Sequence, residues 1–119
     1  MVSIIIYTTG EKLLHKQGKL PDDDDWAEDG YYYWHLRGVP RKLKVGDRIY
    51  FAVKGYIRGY FIVEDIDDSD ECEIEFDSTS WKDIKPNDQL SCKSFQGFKY
   101  ADKVGLKWIV NFGTSLNIR

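Results

Sequence analysis

Apolar and polar side chains alternate most regularly in the middle of the chain, over Val45–Val63 (VGDRIYFAVKGYIRGYFIV). The turn signal Gly46-Asp47 stands near its start, and Gly55 separates the two runs that follow, in which apolar residues recur at every second position. The pattern predicts two strands, Arg48–Val53 and Tyr56–Val63, that pair as a hairpin. One face of the hairpin is apolar and suits a core, and the second face carries Tyr, Lys and Arg side chains.

Gly59 interrupts the apolar side of the second predicted strand. The alternation places Ile57, Phe61 and Val63 on the same face as Gly59. Because glycine has no side chain, this position suits a bend, a bulge or the close approach of another backbone.

Shorter patterns predict the remaining elements. A central strand is expected at Val2–Thr8, and a short helix at Glu11–Gln17 that ends at Gly18. Further strands are predicted at Cys72–Phe76, Leu90–Phe98 and Leu106–Phe112, and loops at Lys19–Gly30 and Ser78–Asn87. The fold class is therefore mixed and mainly β: a barrel of six or seven strands with one or two short helices.

Length and composition predict a single folded domain, residues 1–119. The composition of 42% hydrophobic and 15% aromatic residues is that of a folded chain. No apolar run approaches the roughly 20 residues of a membrane span, and the chain start lacks the features of a signal peptide. Cys72 and Cys92 match neither a metal-binding spacing nor a disulfide framework, so we expect two reduced thiols in a cytoplasmic protein.

Charge is segregated along the chain, although the net charge is only −3. Arg37–Arg58 contains seven basic residues and a single acid, whereas Glu64–Asp77 contains nine acids and no base. Asp22–Asp29 adds six acids, which we interpret as a solvated loop because consecutive aspartates do not match a calcium-binding loop. Such segregation creates a local positive field on a protein that is acidic overall.

The most aromatic stretch is Tyr31–Leu36 (YYYWHL), and Arg37, Arg41 and Lys42 follow it closely. A run of aromatic residues suits a buried strand in a small barrel. Tyr and Trp also have polar tips that need partners when buried, and aromatic faces beside guanidinium groups suit unpaired bases next to phosphates. Both interpretations are kept: some of these rings belong to the core, and one or two line a site.

Three segments together resemble a known superfamily. They are Trp34–Arg37 with Pro40, the phrase Leu43–Phe51 (LKVGDRIYF), and Gly55 with Ile57–Tyr60 (IRGY). The stretch Tyr31–Ile66 that contains them is similar to the PUA-like superfamily, and within it to EVE and ASCH domains. The resemblance implies a PUA-like pseudobarrel that holds RNA or a modified DNA base in an aromatic pocket beside a basic surface.

The resulting hypothesis is a nucleic-acid-binding module. Its predicted binding residues are Tyr33, Trp34, Arg37, Arg41, Lys42, Lys54, Arg58, Tyr60 and Phe98, of which the four aromatic ones are expected to line the pocket. His15 and His35 are not at a metal-ligand spacing, so we expect no metal site. We also expect no cofactor, no membrane contact and a monomer.

Two alternatives remain open. The resemblance to ASCH domains also implies a hydrolase of RNA or of a modified nucleoside, with a Lys and a nearby Thr or Glu close to the chain start. Thr8, Thr9, Glu11 and Lys12 occupy a comparable region without matching an alignable motif. The other alternative is a protein-interaction module whose acidic loops contact a basic partner.

Overall fold

The computed structural model describes residues 2–18, 31–68 and 72–101, and in these ranges the chain forms seven strands and one short α-helix. In chain order they are β1 (Ser3–Thr8), α1 (Gly10–Lys16), β2 (Tyr31–Leu36), β3 (Arg48–Val53), β4 (Tyr56–Asp67), β5 (Cys72–Asp77), β6 (Lys82–Asp83) and β7 (Phe98–Tyr100). Single 3-10 turns occur at Ser78–Ser80 and Pro86–Asp88. The prediction of a mainly β fold with six or seven strands and few helices is confirmed. The loop predicted at Lys19–Gly30 and the strand predicted at Leu106–Phe112 lie outside the described residues.

The strands form one sheet in the order β2-β5-β4-β3-β1-β7, and β6 pairs with β4. β1 lies parallel to β3, and the other strand pairs are antiparallel. The predicted hairpin of β3 and β4 is confirmed, as is the central position of the N-terminal strand. The sheet curls into a half-barrel, so that its two ends, β2 and β7, line opposite sides of one cleft.

Helix α1 lies close to the predicted position, and its His15 contacts Tyr32 of β2 edge to face, with ring centres 5.1 Å apart. Thr9 is its N-cap: the Thr9 Oγ1 accepts a hydrogen bond from the Lys12 backbone N–H at 3.2 Å. Such a cap satisfies one of the amide groups that a helix start leaves without a partner. Leu13 is the residue of α1 that is buried in the core.

The concave face of the sheet holds the main core. Phe51, Phe61 and Phe76 are fully buried there, and the ring centres of Phe61 and Phe76 are 4.3 Å apart. Cys72 and Ile74 join Phe76 in this cluster, so every second residue of the strand predicted at Cys72–Phe76 faces the core. Strands β1 to β5 all contribute to this one core, which holds the curl of the sheet in place.

The outer face of the hairpin is also buried. Tyr50 and Ala52 are almost inaccessible to solvent and pack with Ile84 and Ala101, which cover this face. We call this second group of buried residues the outer cluster. The predicted apolar face packs in the main core, as expected, but the second face, predicted to carry Tyr, Lys and Arg side chains, is largely buried as well. Burial raises the pKa of the Tyr50 hydroxyl, and the hydrogen bond that it accepts from Arg48 Nη1, at 3.1 Å, partly offsets this rise.

A β-bulge in β4 turns the Ile57 side chain toward the outer cluster. Phe51 lies opposite Gly59, whereas Ala52 lies opposite Ile57, so that Arg58 is the extra residue on β4. An extra residue shifts the alternation by one position. Ile57 therefore packs in the outer cluster. The simple alternation had predicted, wrongly, that it would pack with the other apolar residues of β4.

Gly59 lies where β6 pairs with β4, opposite Asp83. A Cβ atom on Gly59 would overlap the carbonyl oxygen of Lys82 and the indole ring of Trp81. That indole packs against Phe61, with ring centres 4.9 Å apart. The bulge and the close backbone approach that the sequence predicts at this glycine are both confirmed.

The strand predicted at Leu90–Phe98 is wrong over most of its length. Two backbone hydrogen bonds, of 3.0 and 2.7 Å, hold Leu90 and Cys92 against the end of the hairpin, and regular strand structure begins only at Phe98. Gly97, with a φ of +77°, turns the chain into β7. The segment predicted as a loop at Ser78–Asn87 contains the short strand β6 and the start of the second 3-10 turn.

Both cysteines are free thiols, as predicted, and neither favours its reactive thiolate form. Burial raises the pKa of the Cys72 thiol, and nearby acidic side chains raise it further. Burial also raises the pKa of the half-buried Cys92, an effect that Lys99 partly offsets. Since the thiolate is the nucleophile, we expect both thiols of the folded protein to react with iodoacetamide far more slowly than in urea, and Cys92 to react before Cys72.

Peptide mass spectrometry after timed labelling at about pH 8, near the usual thiol pKa, measures both rates. Cys92→Ser is the control that isolates Cys72. Labelling of Cys72 at the same rate in the folded and the urea-unfolded protein would contradict the buried position.

Candidate functional site

A cleft of about 650 Å³ lies where the two ends of the curled sheet face each other. β2 and the residues after it form one wall, β7 and the residues before it form the other, and β1 contributes to the surface between them. We call it the seam cleft, and its lining residues are Ile6, Tyr7, Trp34, His35, Leu36, Arg37, Gly38, Gln96, Gly97 and Phe98.

The alternation along β2 decides which aromatic ring reaches the cleft. Tyr32 and Leu36 are buried in the main core, and Trp34 between them is half-buried. The Trp34 ring contacts Phe51 edge to face, with ring centres 5.1 Å apart. The Nζ atom of Lys16 lies 5.9 Å from the Trp34 ring centre, within cation–π range. Trp34 therefore belongs to the border of the core and to the cleft wall at the same time.

Phe98 forms the aromatic part of the opposite wall. It pairs with Ile6 across the β1–β7 ladder and contacts Tyr100 edge to face, with ring centres 5.5 Å apart. Gly38, just after β2, faces this ring: a Cβ on Gly38 would stand 3.7 Å from Phe98 Cε1. The two walls therefore approach each other directly at Gly38 and Phe98.

Polar groups reach the cleft from both walls. The exposed residues Arg37 and His35 lie on the β2 side, and Gln96 is exposed on the β7 side. A guanidinium supplies several donors, and a side-chain amide supplies donors and an acceptor. Aromatic surfaces combined with a few such polar groups are typical of sites for planar polar ligands.

A basic segment, Arg37–Lys44, borders the Phe98 wall. The Lys42 backbone N–H donates to Tyr100 Oη at 3.1 Å, and the Lys42 Nζ lies 5.8 Å from the Tyr100 ring centre. Because Tyr100 also contacts Phe98, this hydrogen bond ties the basic segment to the cleft. Arg41, Lys42 and Lys44 are all exposed to solvent, so their charge is available beside the cleft.

The structure brings together three of the predicted binding residues in the seam cleft: Trp34, Arg37 and Phe98. Lys42 adjoins them through Tyr100, and Arg41 is exposed in the same segment. These five of the nine predicted binding residues therefore lie in the seam cleft or in the basic segment beside it.

Two of the predicted pocket residues do not line the seam cleft. Tyr33 precedes Trp34 on β2 and therefore points to the other side of the strand, opposite Glu75 of β5. Tyr60 packs against the outer cluster, where the guanidinium carbon of Arg48 lies 4.4 Å from its ring centre. The prediction of one pocket lined by all four aromatic residues is thus corrected to Trp34 and Phe98.

The remaining predicted residues, Lys54 and Arg58, lie with Tyr56 at the end of the β3–β4 hairpin. We call these three residues the hairpin-tip surface. Lys54 is exposed and has a φ of +50°, a left-handed conformation that non-glycine residues adopt at a cost of roughly 1–2 kcal/mol. Tyr56 is 47% exposed, and the guanidinium carbon of Arg58 lies 5.4 Å from its ring centre.

Sequence reasoning missed Tyr7, Gln96 and Gly38 as lining residues. Tyr7 had a detectable signal, because it is the one polar-tipped ring in an isoleucine-rich strand. Its hydroxyl accepts a hydrogen bond from the Gly55 backbone N–H at 2.6 Å. Gln96 and Gly38 had none, because only the curl of the sheet brings their two loops together.

The residues considered for the hydrolase alternative do not line the seam cleft. Thr9 caps α1, Glu11 and Lys12 are exposed on that helix, and Thr8 is buried beside Val53. Across residues 2–18, 31–68 and 72–101, no group of three or more His, Cys, Asp or Glu side chains is placed to hold a metal ion. No helix in the same ranges is long and apolar enough to cross a membrane.

Comparisons with protein-family models, with curated proteins and with solved structures each find no match for this chain. The geometry of the seam cleft and of its basic border is therefore the basis for the function proposed below.

Proposed function

We propose that this domain binds single-stranded nucleic acid and holds one unstacked base in the seam cleft. The observation that carries the proposal is the convergence of Trp34 and Phe98, from opposite ends of the sheet, on one cleft with Arg37 at its border. Stacking on aromatic side chains is the main way in which proteins hold unpaired bases, and Arg is the usual partner of the neighbouring phosphate.

The size of the cleft supports a ligand of this kind. Its volume of about 650 Å³ falls in the range of about 300–1,000 Å³ that is typical of small-molecule sites. A base within a double helix cannot enter such a cleft unless it is turned out of the stack, which costs free energy. The proposal therefore favours single strands, loops and ends over intact duplexes.

The separation of basic and acidic residues supports a position for the nucleic-acid strand. The exposed basic residues Arg37, Arg41 and Lys42 lie beside the cleft. Outward-facing acids of β4 and β5 lie opposite one another instead, in the pairs Asp65 with Glu75 and Asp67 with Glu73. A phosphate backbone is attracted to the first surface and repelled by the second, so the cleft is the favoured place for it.

The same proposal includes the resemblance noted in the sequence. We propose that the domain is a PUA-like module of the EVE type, acting in the cytoplasm on RNA or on a modified base in DNA. The hairpin and the basic-aromatic segment that carry the resemblance supply the main core and the β2 wall of the cleft.

Direct titration tests the proposal. Fluorescence anisotropy with short single-stranded and double-stranded RNA and DNA, with plain and modified bases, at two salt concentrations, measures affinity and its salt dependence. We expect single strands to bind more tightly than duplexes of the same sequence. Equal affinity for duplexes and single strands, or no binding of any of them, would contradict the proposal.

Replacing Arg37 by alanine is expected to weaken binding of all sequences similarly. If Arg37 meets one phosphate, its loss lowers the slope of log affinity against log salt by about 0.7 for a single strand. Lys82→Ala, which removes an exposed charge on β6 outside the cleft, is the matched control and should leave the slope unchanged. An unchanged slope in a folded Arg37→Ala variant would remove this residue from the proposed interface.

A further inference from the structure

The hairpin-tip surface of Lys54, Tyr56 and Arg58 lies outside the seam cleft, yet it combines the same chemical groups. Nearly half of the Tyr56 surface is exposed to solvent, although Tyr is a large and partly apolar residue. A guanidinium lies beside that ring, and the exposed ammonium group of Lys54 is two residues away along the chain. An aromatic face with two adjacent cations is the combination that stacks a base and neutralises its phosphate.

The Arg58 side chain is held in position by bonds that leave part of it available. Its Nε donates to the Val53 carbonyl oxygen at 2.9 Å, and its Nη1 donates to Gln89 Oε1 at 3.1 Å. Gln89 is held in turn by the Ile84 carbonyl oxygen at 2.9 Å. A guanidinium has five N–H donors, so these bonds fix its plane and leave others for a ligand. Little side-chain entropy remains to be lost when such a group binds a phosphate.

The hairpin-tip surface adjoins the seam cleft directly. Tyr7 lines the cleft, and its hydroxyl accepts the hydrogen bond from Gly55, which lies between Lys54 and Tyr56. The Cys92 N–H donates to the Gly55 carbonyl oxygen at 2.7 Å, and the chain reaches the cleft again at Gln96 and Gly97. Five residues span at most about 18 Å, so the two sites are no farther apart than roughly five stacked nucleotides.

We propose that the hairpin-tip surface is a second contact for the same nucleic-acid strand, in which Tyr56 stacks a base and Arg58 and Lys54 meet its phosphates. This inference rests on the proposed function and extends it: the ligand is a single strand several nucleotides long, and one base alone fills only part of the site. Lys54 occupies a left-handed turn position where Asn or Gly is the usual residue. The lysine at this position puts a positive charge at the hairpin tip, where the proposed contact needs one.

The test measures the affinity of wild type and of Tyr56→Ala for two fluorescently labelled RNAs. One is a dinucleotide, and the other is a single strand of eight nucleotides with mixed sequence. We expect wild type to bind the longer RNA more tightly. Tyr56→Ala is expected to weaken binding of the longer RNA by about 5- to 150-fold, the effect of losing one stacked base, and to leave the dinucleotide affinity unchanged.

Tyr33→Ala is the matched control, since Tyr33 is 48% exposed but lies on the far side of β2, among acidic residues. It should change neither affinity. If Trp34→Ala weakens binding of both RNAs but Tyr56→Ala weakens neither, the second contact is refuted and the seam cleft remains. If wild type binds neither RNA nor the matching DNA, both proposals fail together. An equal loss for both RNAs in Tyr56→Ala also refutes a separate second contact.

Discussion

Replacing Gly59 by alanine is expected to lower the free energy of unfolding by about 3 kcal/mol, the upper part of the range for forcing extra atoms into a packed site. The added methyl group would overlap the carbonyl oxygen of Lys82 and the indole of Trp81. The first of these is backbone, which cannot turn away as a flexible side chain can. The protein must therefore separate β6 from β4 or displace the indole from Phe61. Urea denaturation followed by tryptophan fluorescence measures the loss.

Gly10→Ala provides the matched control for this substitution. A Cβ on Gly10 would stand 3.8 Å from Val53 Cγ1, an ordinary contact distance, and the residue begins α1. Alanine has a higher helix propensity than glycine, so the control is expected to be neutral or slightly stabilising. A loss below about 0.5 kcal/mol in Gly59→Ala, the usual size of a surface effect, would show that β6 does not lie against Gly59.

Replacing Trp34 by alanine is expected to reduce both stability and binding. The ring is half-buried against Phe51, so we expect a loss of about 2–3 kcal/mol, below the 3–5 kcal/mol of a fully buried aromatic residue. Since the same ring lines the seam cleft, we also expect a loss of about 1–3 kcal/mol in binding of a single strand. Melting temperature and affinity measured on one sample separate the two effects.

Two variants test the assignment of Trp34. Trp34→Phe keeps an aromatic ring at the core border and in the cleft, so most of both effects should disappear. Tyr33→Ala removes the neighbouring ring on the other side of β2 and should change binding little. An affinity that is unchanged in Trp34→Ala, measured below its melting temperature, would place the binding site outside the seam cleft.

Period-two alternation was enough to predict most of the strands. β3, β4 and β5 lie close to the predicted positions, because their apolar residues face a core at every second residue. The alternation failed at Ile57, because the bulge at Arg58 exchanges the two faces of β4. Gly59, beside the bulge, is visible in the sequence, but the pairing of β6 with β4 that brings Lys82 and Trp81 against it is a tertiary contact.

The candidate site was harder to predict, because its two walls are distant in sequence. Alternation along β2 separates Trp34 from Tyr33, and this follows from the sequence once β2 is known to be a strand. That Phe98 lies on the opposite wall follows only from the curl that brings the ends of the sheet together. Tyr60 was assigned to the same pocket because it is aromatic, whereas it packs in the outer cluster, which combines residues from both ends of the described chain, such as Ile5 and Ala101.

The central position of β1 has a consequence for the order in which the protein can fold. β1 leaves the ribosome before either of its partners, which are Arg48–Val53 and, much later, Phe98–Tyr100. Pairing between such distant segments raises the contact order and slows folding, since a long loop must close before the pairing is gained. The apolar strand Ser3–Thr8 therefore emerges without either partner during synthesis, and until β3 and β7 follow it is a site where nascent chains can aggregate or chaperones can bind.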